Sequence, residues 1–251
     1  MNCKALEPKN LCGIALIFWL SVSGGLALAE KLVVYTEEFP PYNFTKDGQV
    51  IGISTDLVVA ALEEAGLEYQ LTVLPWKRAY VQTLKQKNTL LFTTSRTIKR
   101  ESLFIWVAAL YPRRIDLFKL KKRSDISVAS FEDLNKYQIG VLRGGSVEEE
   151  LSAKGIKSLQ AVNTDSSNLL KLFSGRLDLI PGSELTMAYE LKTMEFSYDD
   201  IEPAFPLSNQ GWFYLVANKE TPPEIILRLQ DAFNQVIYEG VRDDIRRRYL
   251  D

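Results

Sequence analysis

From residue 31 onward, short β-branched runs alternate with longer segments of helical pattern, in two separate series. That alternation points to α/β sheets built largely from parallel strands. In the first series, residues 31–35 (KLVVY), 70–74 and 89–94 (TLLFTT) read as strands. Residues 56–66 read as a helix stopped by Gly66, and residues 76–87 as a helix with a polar face. A Pro-rich loop, Phe39-Pro40-Pro41-Tyr42, follows the first strand, and Asp47-Gly48 marks a hairpin turn.

Residues 114–121 (RIDLFKLK) read as an extended strand leading out of this unit. The second series holds a short helix capped at Ser130 with Asp133 three residues on, then strands at 137–142, 177–180 and 211–217. Helices are predicted after Gly144-Gly145-Ser146, over 165–175, over 183–192 and from Pro222-Pro223 to about 239. A short basic amphipathic helix ends the chain. Two units of roughly 90 residues are thus joined by two extended crossings, a size that suits independent domains. The tail after the second crossing is too short to stand alone and packs most simply onto the first unit. The expected division is lobe 1 from 30–114 and 210–251, and lobe 2 from 115–209, with a double-strand hinge and a ligand cleft between them. One continuous doubly wound sheet fits the same periodicity.

Ahead of these series, residues 1–29 read as a cleaved signal peptide. Lys4 and Lys9 precede an apolar run, residues 11–20 (LCGIALIFWL), and Ala27-Leu28-Ala29 forms an A-x-A cleavage pattern. An uncleaved anchor is the alternative, but the apolar run is short for a membrane span. Both cysteines, Cys3 and Cys12, fall in this segment, so cleavage leaves a chain without disulfide or thiol chemistry. There is no histidine, which excludes His-based triads and His metal sites. The net charge of −2 gives no nucleic-acid signature. No phosphate-binding loop, dinucleotide fingerprint or metal-ligand cluster is present, so neither cofactor nor metal is expected.

The order of motifs resembles the family 3, amino-acid-type periplasmic solute-binding proteins of ABC importers. The resemblance spans residues 31–251 and is carried by YTEEFPPYNF, DGQVIGISTDLVVAALEEAG, TTSRTIKRESLFIWVAALY, IGVLRGGSVEEEL, LFSGRLDLIPGSE and FYLVANKETPPEIILRLQDAF. The PWKRA and SRTIKRE segments are similar to a large subgroup of that family. The resemblance implies an α/β, two-lobed type II periplasmic-binding-protein-like fold that closes around a small polar solute. It also implies the periplasm as compartment, an inner-membrane ABC permease as partner, and a monomer that does not catalyse.

The segment Thr93-Thr94-Ser95-Arg96 to Arg100 places hydroxyls and guanidinium groups after a predicted strand, an arrangement that suits a carboxylate. Read from composition alone, Arg96 and Arg100 are surface arginines pairing with Glu101. The resemblance assigns Arg100 to the ligand's carboxylate, with Arg96 sharing or taking over that role. Gly145 and Ser146 open a helix whose N-terminus offers free N–H groups, although Ser146 and Glu149 also fit a capping box. Phe39 and Trp76 are aromatic candidates for the cleft wall, whereas Tyr42 reads as core. Lys77 and Arg78 add charge there only if they point inward.

At Ser183 the chain departs from the resemblance, which implies an aspartate for the ligand's α-ammonium. Either Glu184 substitutes, or the ligand lacks that group; alone, Ser183 is a helix N-cap. The basic stretch from Arg113 to Arg123 reads as a solvated face. Two alternatives to an importer subunit use the same scaffold. One is a ligand-sensing module for a membrane receptor. The other is a dehydratase-like enzyme with Glu184 as a buried general acid.

Overall fold

The computed structural model describes Met1 and residues 31–208 and 211–250, so the signal-peptide reading, with Cys3 and Cys12, lies outside the described residues. Strand β1 (Leu32–Thr36) runs parallel to β4 (Tyr69–Val73) and to β5 (Thr89–Ser95). All seven residues of β5 are buried. Its Leu90, Leu91 and Phe92 are apolar, and its β-branched threonines suit a strand covered on both faces. β2 (Phe44–Lys46) and β3 (Gln49–Ile51) form the hairpin expected around Asp47-Gly48. The first sheet has the order β4-β1-β5-β12-β6, completed by β6 (Ile105–Pro112) and β12 (Trp212–Ala217).

Helices α1 (Ile53–Glu64), α6 (Pro223–Tyr238) and α7 (Val241–Leu250) cover one face of this sheet. Their apolar residues, among them Leu57, Leu62, Leu229, Phe233 and Ile245, pack with Leu90, Phe92 and Leu215. Helix α2 (Trp76–Lys85) covers the other face through Trp76, Ala79 and Tyr80 against Leu91 and Val216. The tail thus returns to the first unit, as its length suggested.

The second unit holds β7 (Ile115–Leu120), β8 (Ile139–Leu142), β9 (Leu159–Val162), β10 (Ile180–Gly182) and β11 (Ile201–Ser208). Strands β10-β7-β11 are antiparallel, β8-β9 parallel, and a bridge from Ile139 to Leu179 links the two sets. Helices α3 (Ser146–Ala153), α4 (Asp165–Phe173) and α5 (Glu184–Thr193) pack around them in two further apolar clusters. The chain passes between the two sheets twice, between β6 and β7 and between β11 and β12. This is a two-lobed arrangement, not one continuous sheet.

The sheets are more antiparallel than the alternation predicts: β12 runs antiparallel to both β5 and β6, and β7 to both its neighbours. The sequence reading also lacks β6, β9 and β11. In β11, Pro203 and Pro206 argue against a strand, yet β11 is an edge strand with register shifts beside each proline, where the missing N–H costs no ladder bond. The strand expected at 177–180 lies at Ile180–Gly182, with Leu179 keeping only the bridge to Ile139.

The loop after β1 is seated on the start of α1. The Tyr42 carbonyl accepts from the N–H groups of Ser54 and Thr55, at 2.8 and 3.3 Å. A side chain at Gly52 would meet that carbonyl oxygen at 2.4 Å, and Gly52 has φ of 128°. Both close approach and backbone conformation therefore require glycine here. Gly52→Ala is expected to destabilise the protein by about 3 kcal/mol, read as a lower denaturation midpoint at unchanged slope. A midpoint equal to the wild type would show that the loop can lift off the helix without cost.

Candidate functional site

The carboxyl ends of β1 and β5 in one lobe and of β8 and β9 in the other face the same gap, the usual place for ligands in α/β sheets. Glu37 follows β1, Ser95 ends β5, the turn Gly144-Gly145 follows β8, and Asp165 follows β9 and opens α4. Between them lies a cavity of about 90 Å³ lined by residues of both lobes. A single water needs about 10–15 Å³ on this measure, so the space suits a solute of amino-acid size.

Seven of the eleven residues singled out from sequence line it: Phe39, Trp76, Thr93, Ser95, Arg100, Gly145 and Ser146. Phe39 stacks on Tyr42, with centroids 5.2 Å apart, and meets the edge of Phe213. Tyr42 itself is core, as expected. Thr93 adopts φ of 59°, unusual for a β-branched residue, and donates its hydroxyl to Asn43 Oδ1 at 2.5 Å. The fully buried Asn43 in turn donates to the Glu37 carbonyl at 2.7 Å, tying the first loop to β5.

Arg100 is fully buried, stacked over the Trp76 and Tyr80 rings at 5.0 and 5.2 Å. Its Nε donates to Glu149 at 3.1 Å, and its Nη2 to the Gly144 carbonyl at 3.1 Å. Trp76 Nε1 donates to the same carbonyl at 2.7 Å. Ser146 Oγ meets Ser95 Oγ at 3.2 Å and accepts from Arg113 at 3.2 Å. These contacts clasp one lobe to the other. They also displace the capping box expected of Ser146 and Glu149. Ser146 is the first residue of α3 with no side-chain cap bond, and Glu149 is taken by Arg100.

Four candidates lie elsewhere. Thr94 is buried within β5 and does not face the cavity. Arg96 lies on the surface, chelated by Glu101 at 2.8 and 2.5 Å and stacked on Trp106, which is the bland reading of that arginine. From there Arg96 does not reach the cavity. Ser183 caps α5, accepting from the Thr186 N–H at 3.1 Å in a reciprocal box. Glu184 is exposed at the start of α5, outside the cavity. Glu184 is therefore not the buried general acid of the enzyme alternative, and it does not reach the cavity as a substitute ammonium partner. Lys77 and Arg78 are both exposed on α2.

Sequence reasoning missed four charged residues of the wall: Glu37, Arg113, Asp165 and Glu190. Arg113 belongs to the basic stretch read as solvated, yet it is buried at the first crossing. Its side chain has one hydrogen bond among the described residues, to Ser146. Burial pushes its guanidinium below the ordinary arginine range. The three acids are shifted the opposite way. Desolvation, then Asp165, raises Glu37 well above the usual carboxylate range, against a smaller opposing pull from Arg100. Desolvation raises Asp165 to about 6, and desolvation with Asp165 and Glu38 raises Glu190 to about 7. The signal that could have found Glu37 and Asp165 is position, since Glu37 directly follows β1 and Asp165 lies three residues past the end of β9. Arg113 and Glu190 carry no such mark.

The model of the bacterial extracellular solute-binding proteins, family 3, matches residues 32–251. A histidine kinase sensor domain with similarity to periplasmic binding proteins superposes at a TM-score of 0.80 and 19% identity, covering 88% of this chain and 96% of that one. An ancestral arginine-binding protein bound to arginine superposes at 0.76 and 18%, covering 88% and 98%. A substrate-binding protein of an ABC uptake transporter from Streptococcus pneumoniae, with bound histidine, gives 0.77 and 19%, covering 88% and 92%. At these identities the likeness is one of fold. No curated protein matches the chain at significant sequence similarity.

Proposed function

We propose, for a chain that belongs to the bacterial extracellular solute-binding proteins of family 3, that it captures a small carboxylate-bearing polar solute between its lobes and hands it to an inner-membrane ABC permease. The observation carrying this reading is Arg113. A guanidinium buried in a solute-sized cavity, with one hydrogen bond to a neutral partner, is costly unless an anion joins it. The hydroxyls of Thr93, Ser95 and Ser146 stand in the same wall to accept or donate further bonds. Arg100, whose charge is met by Glu149, serves as an interlobe clasp beside the anchor.

On this reading the lobes are residues 30–114 with 210–251 and residues 115–209, and the two crossings are the hinge. Residues 1–29 are the cleaved export signal that delivers a monomer to the periplasm. The PWKRA segment supports membership of the subgroup it resembles. The work is binding without turnover. A second reading, ligand sensing for a membrane receptor, is favoured by the superposition on a histidine kinase sensor domain. Calorimetry on protein refolded free of carried-over ligand, against amino acids, dicarboxylates and amines, tests capture. One class should bind at micromolar Kd or tighter, whereas heats of dilution alone throughout would overturn it. Deleting the gene abolishes uptake of the bound compound if the chain serves an importer. It leaves uptake intact and silences a response if the chain serves a receptor.

A further inference from the structure

We propose that Asn43 is a positioning residue of the cleft: it does not line the cavity, yet it holds Thr93 and Phe39 where they do, and solute affinity depends on it. That role rests on the capture reading above, whereas the contacts behind it do not.

The ladder between β1 and β5 ends at the pair Tyr35–Leu91. Beyond that pair the two strands part, which opens a crevice at their carboxyl ends. On its other side β5 loses register with β12. Leu91 pairs with Val216 and Thr94 with Tyr214, so Phe92 and Thr93 together face Leu215. That two-against-one count is a β-bulge, a device that re-aims side chains beside functional sites. Thr93 is the bulge residue in the left-handed region, at φ of 59°. Glycine takes that conformation at no steric cost, and a β-branched residue does not. Such strain persists only where the surroundings hold it.

The Thr93 hydroxyl is held by Asn43. The Glu37 carbonyl can only accept, so the Asn43 amide turns Nδ2 to it, at 2.7 Å, and Oδ1 to the Thr93 hydroxyl, at 2.5 Å. The Asn43 backbone is committed as well. Its carbonyl accepts from the Phe39 N–H at 2.7 Å, and its N–H donates to the Phe39 carbonyl at 3.1 Å. One side chain thus spans the gap that the parted strands leave, and joins Thr93 to Glu37 and Phe39 where no ladder does. Those three residues line the cavity, whereas Asn43 is fully buried outside it. An effect of Asn43 on a solute therefore acts through its neighbours in the wall.

Calorimetry and amide hydrogen exchange on the refolded protein test this, with Asn43→Ala, Thr93→Val and Thr93→Ser. The calorimetric probes are the proteinogenic amino acids, succinate and putrescine. Global stability does not alter the Kd of a protein that stays folded, so affinity separates positioning from mere support. Asn43→Ala should bind the tightest of these probes about tenfold more weakly or worse, because the wall is no longer preorganised. Its Phe39 amide should exchange at least about tenfold faster, with the β8–β9 amides of the other lobe within about twofold of wild type. Thr93→Val keeps the branch and loses the hydroxyl. It should speed exchange at Phe39 in the same way, although Thr93 lies 50 residues from Asn43 in the chain. Thr93→Ser keeps the hydroxyl and should stay within about threefold of wild type in both measurements. If Asn43→Ala fails to fold, the two Thr93 variants carry the same test. Equal acceleration throughout the protein would make the contact a stabiliser only and overturn the proposal. So would an unchanged affinity in Asn43→Ala. If no probe binds wild type, capture fails and exchange decides the placement. Local acceleration in Thr93→Val then upholds it, and an unmoved Phe39 amide overturns it.

Discussion

Arg113→Gln is expected to weaken binding of a carboxylate-bearing ligand by about 100-fold, without lowering the melting temperature of the unliganded protein. Removing one partner of a buried charged pair typically costs about 2–5 kcal/mol, and every 1.4 kcal/mol is tenfold. Glutamine keeps a donor and much of the volume, so neither a cavity nor the Ser146 contact should dominate the result. In the unliganded molecule the Arg113 guanidinium is desolvated with little compensation, so neutralising it relieves a cost. Loss of affinity with equal or higher stability is the pattern of a binding group, whereas a structural arginine would lose both. Arg96→Ala is the matched control. Its bond to Glu101 is exposed and worth little, so affinity should stay within about twofold. Unchanged affinity in Arg113→Gln would remove the anchor from the proposed function.

The second large effect concerns closure. Arg100→Ala is expected to open the unliganded molecule, read by small-angle scattering as a larger radius of gyration. The substitution deletes the bonds to Glu149 and to the Gly144 carbonyl, and the stacking on Trp76. Breaking such a buried pair costs about 3–5 kcal/mol when the structure cannot relax. Here it can relax by separating the lobes, so the loss appears in the open-to-closed ratio more than in global unfolding. A loss of about 3 kcal/mol moves that ratio by a factor on the order of 100. Glu149→Gln should open the molecule less, because Gly144 still accepts from Arg100 and Trp76. The double variant should open no further than Arg100→Ala alone, since both act through one contact. A scattering curve unchanged in Arg100→Ala would show that Trp76 and the Ser95–Ser146 contact suffice to hold the lobes.

The helices and the buried parallel strands were legible because local pattern and tertiary burial agree there. Residues 76–87 begin where α2 begins, and the β-branched and apolar run at 89–94 is β5, a strand covered on both faces. β11 was illegible for the opposite reason. Its prolines are unfavourable in a strand generally and tolerated on a bulged edge, and sequence does not state where the edge is. Trp76 and Gly145 were legible because they sit where a strand gives way to a helix at the cleft, and Phe39 because the loop after the first strand matches the family resemblance. Arg96 and Arg100 show the limit of that reading. Four residues apart in the same basic segment, one is held on the surface by Glu101 and the other is buried against two aromatic rings.

Sequence by itself determined the α/β class and the absence of histidine chemistry, and it offered two units with a double crossing beside one continuous sheet. Each of these follows from local periodicity, composition or chain order, which need no knowledge of long-range partners. Only the tertiary structure decided the charge of the cavity. Glu37, Arg113, Asp165 and Glu190 are far apart in sequence, and in isolation each reads as an ordinary solvated charge. Two lobes bring them to one cavity, where an unpaired charge costs far more than it does in water.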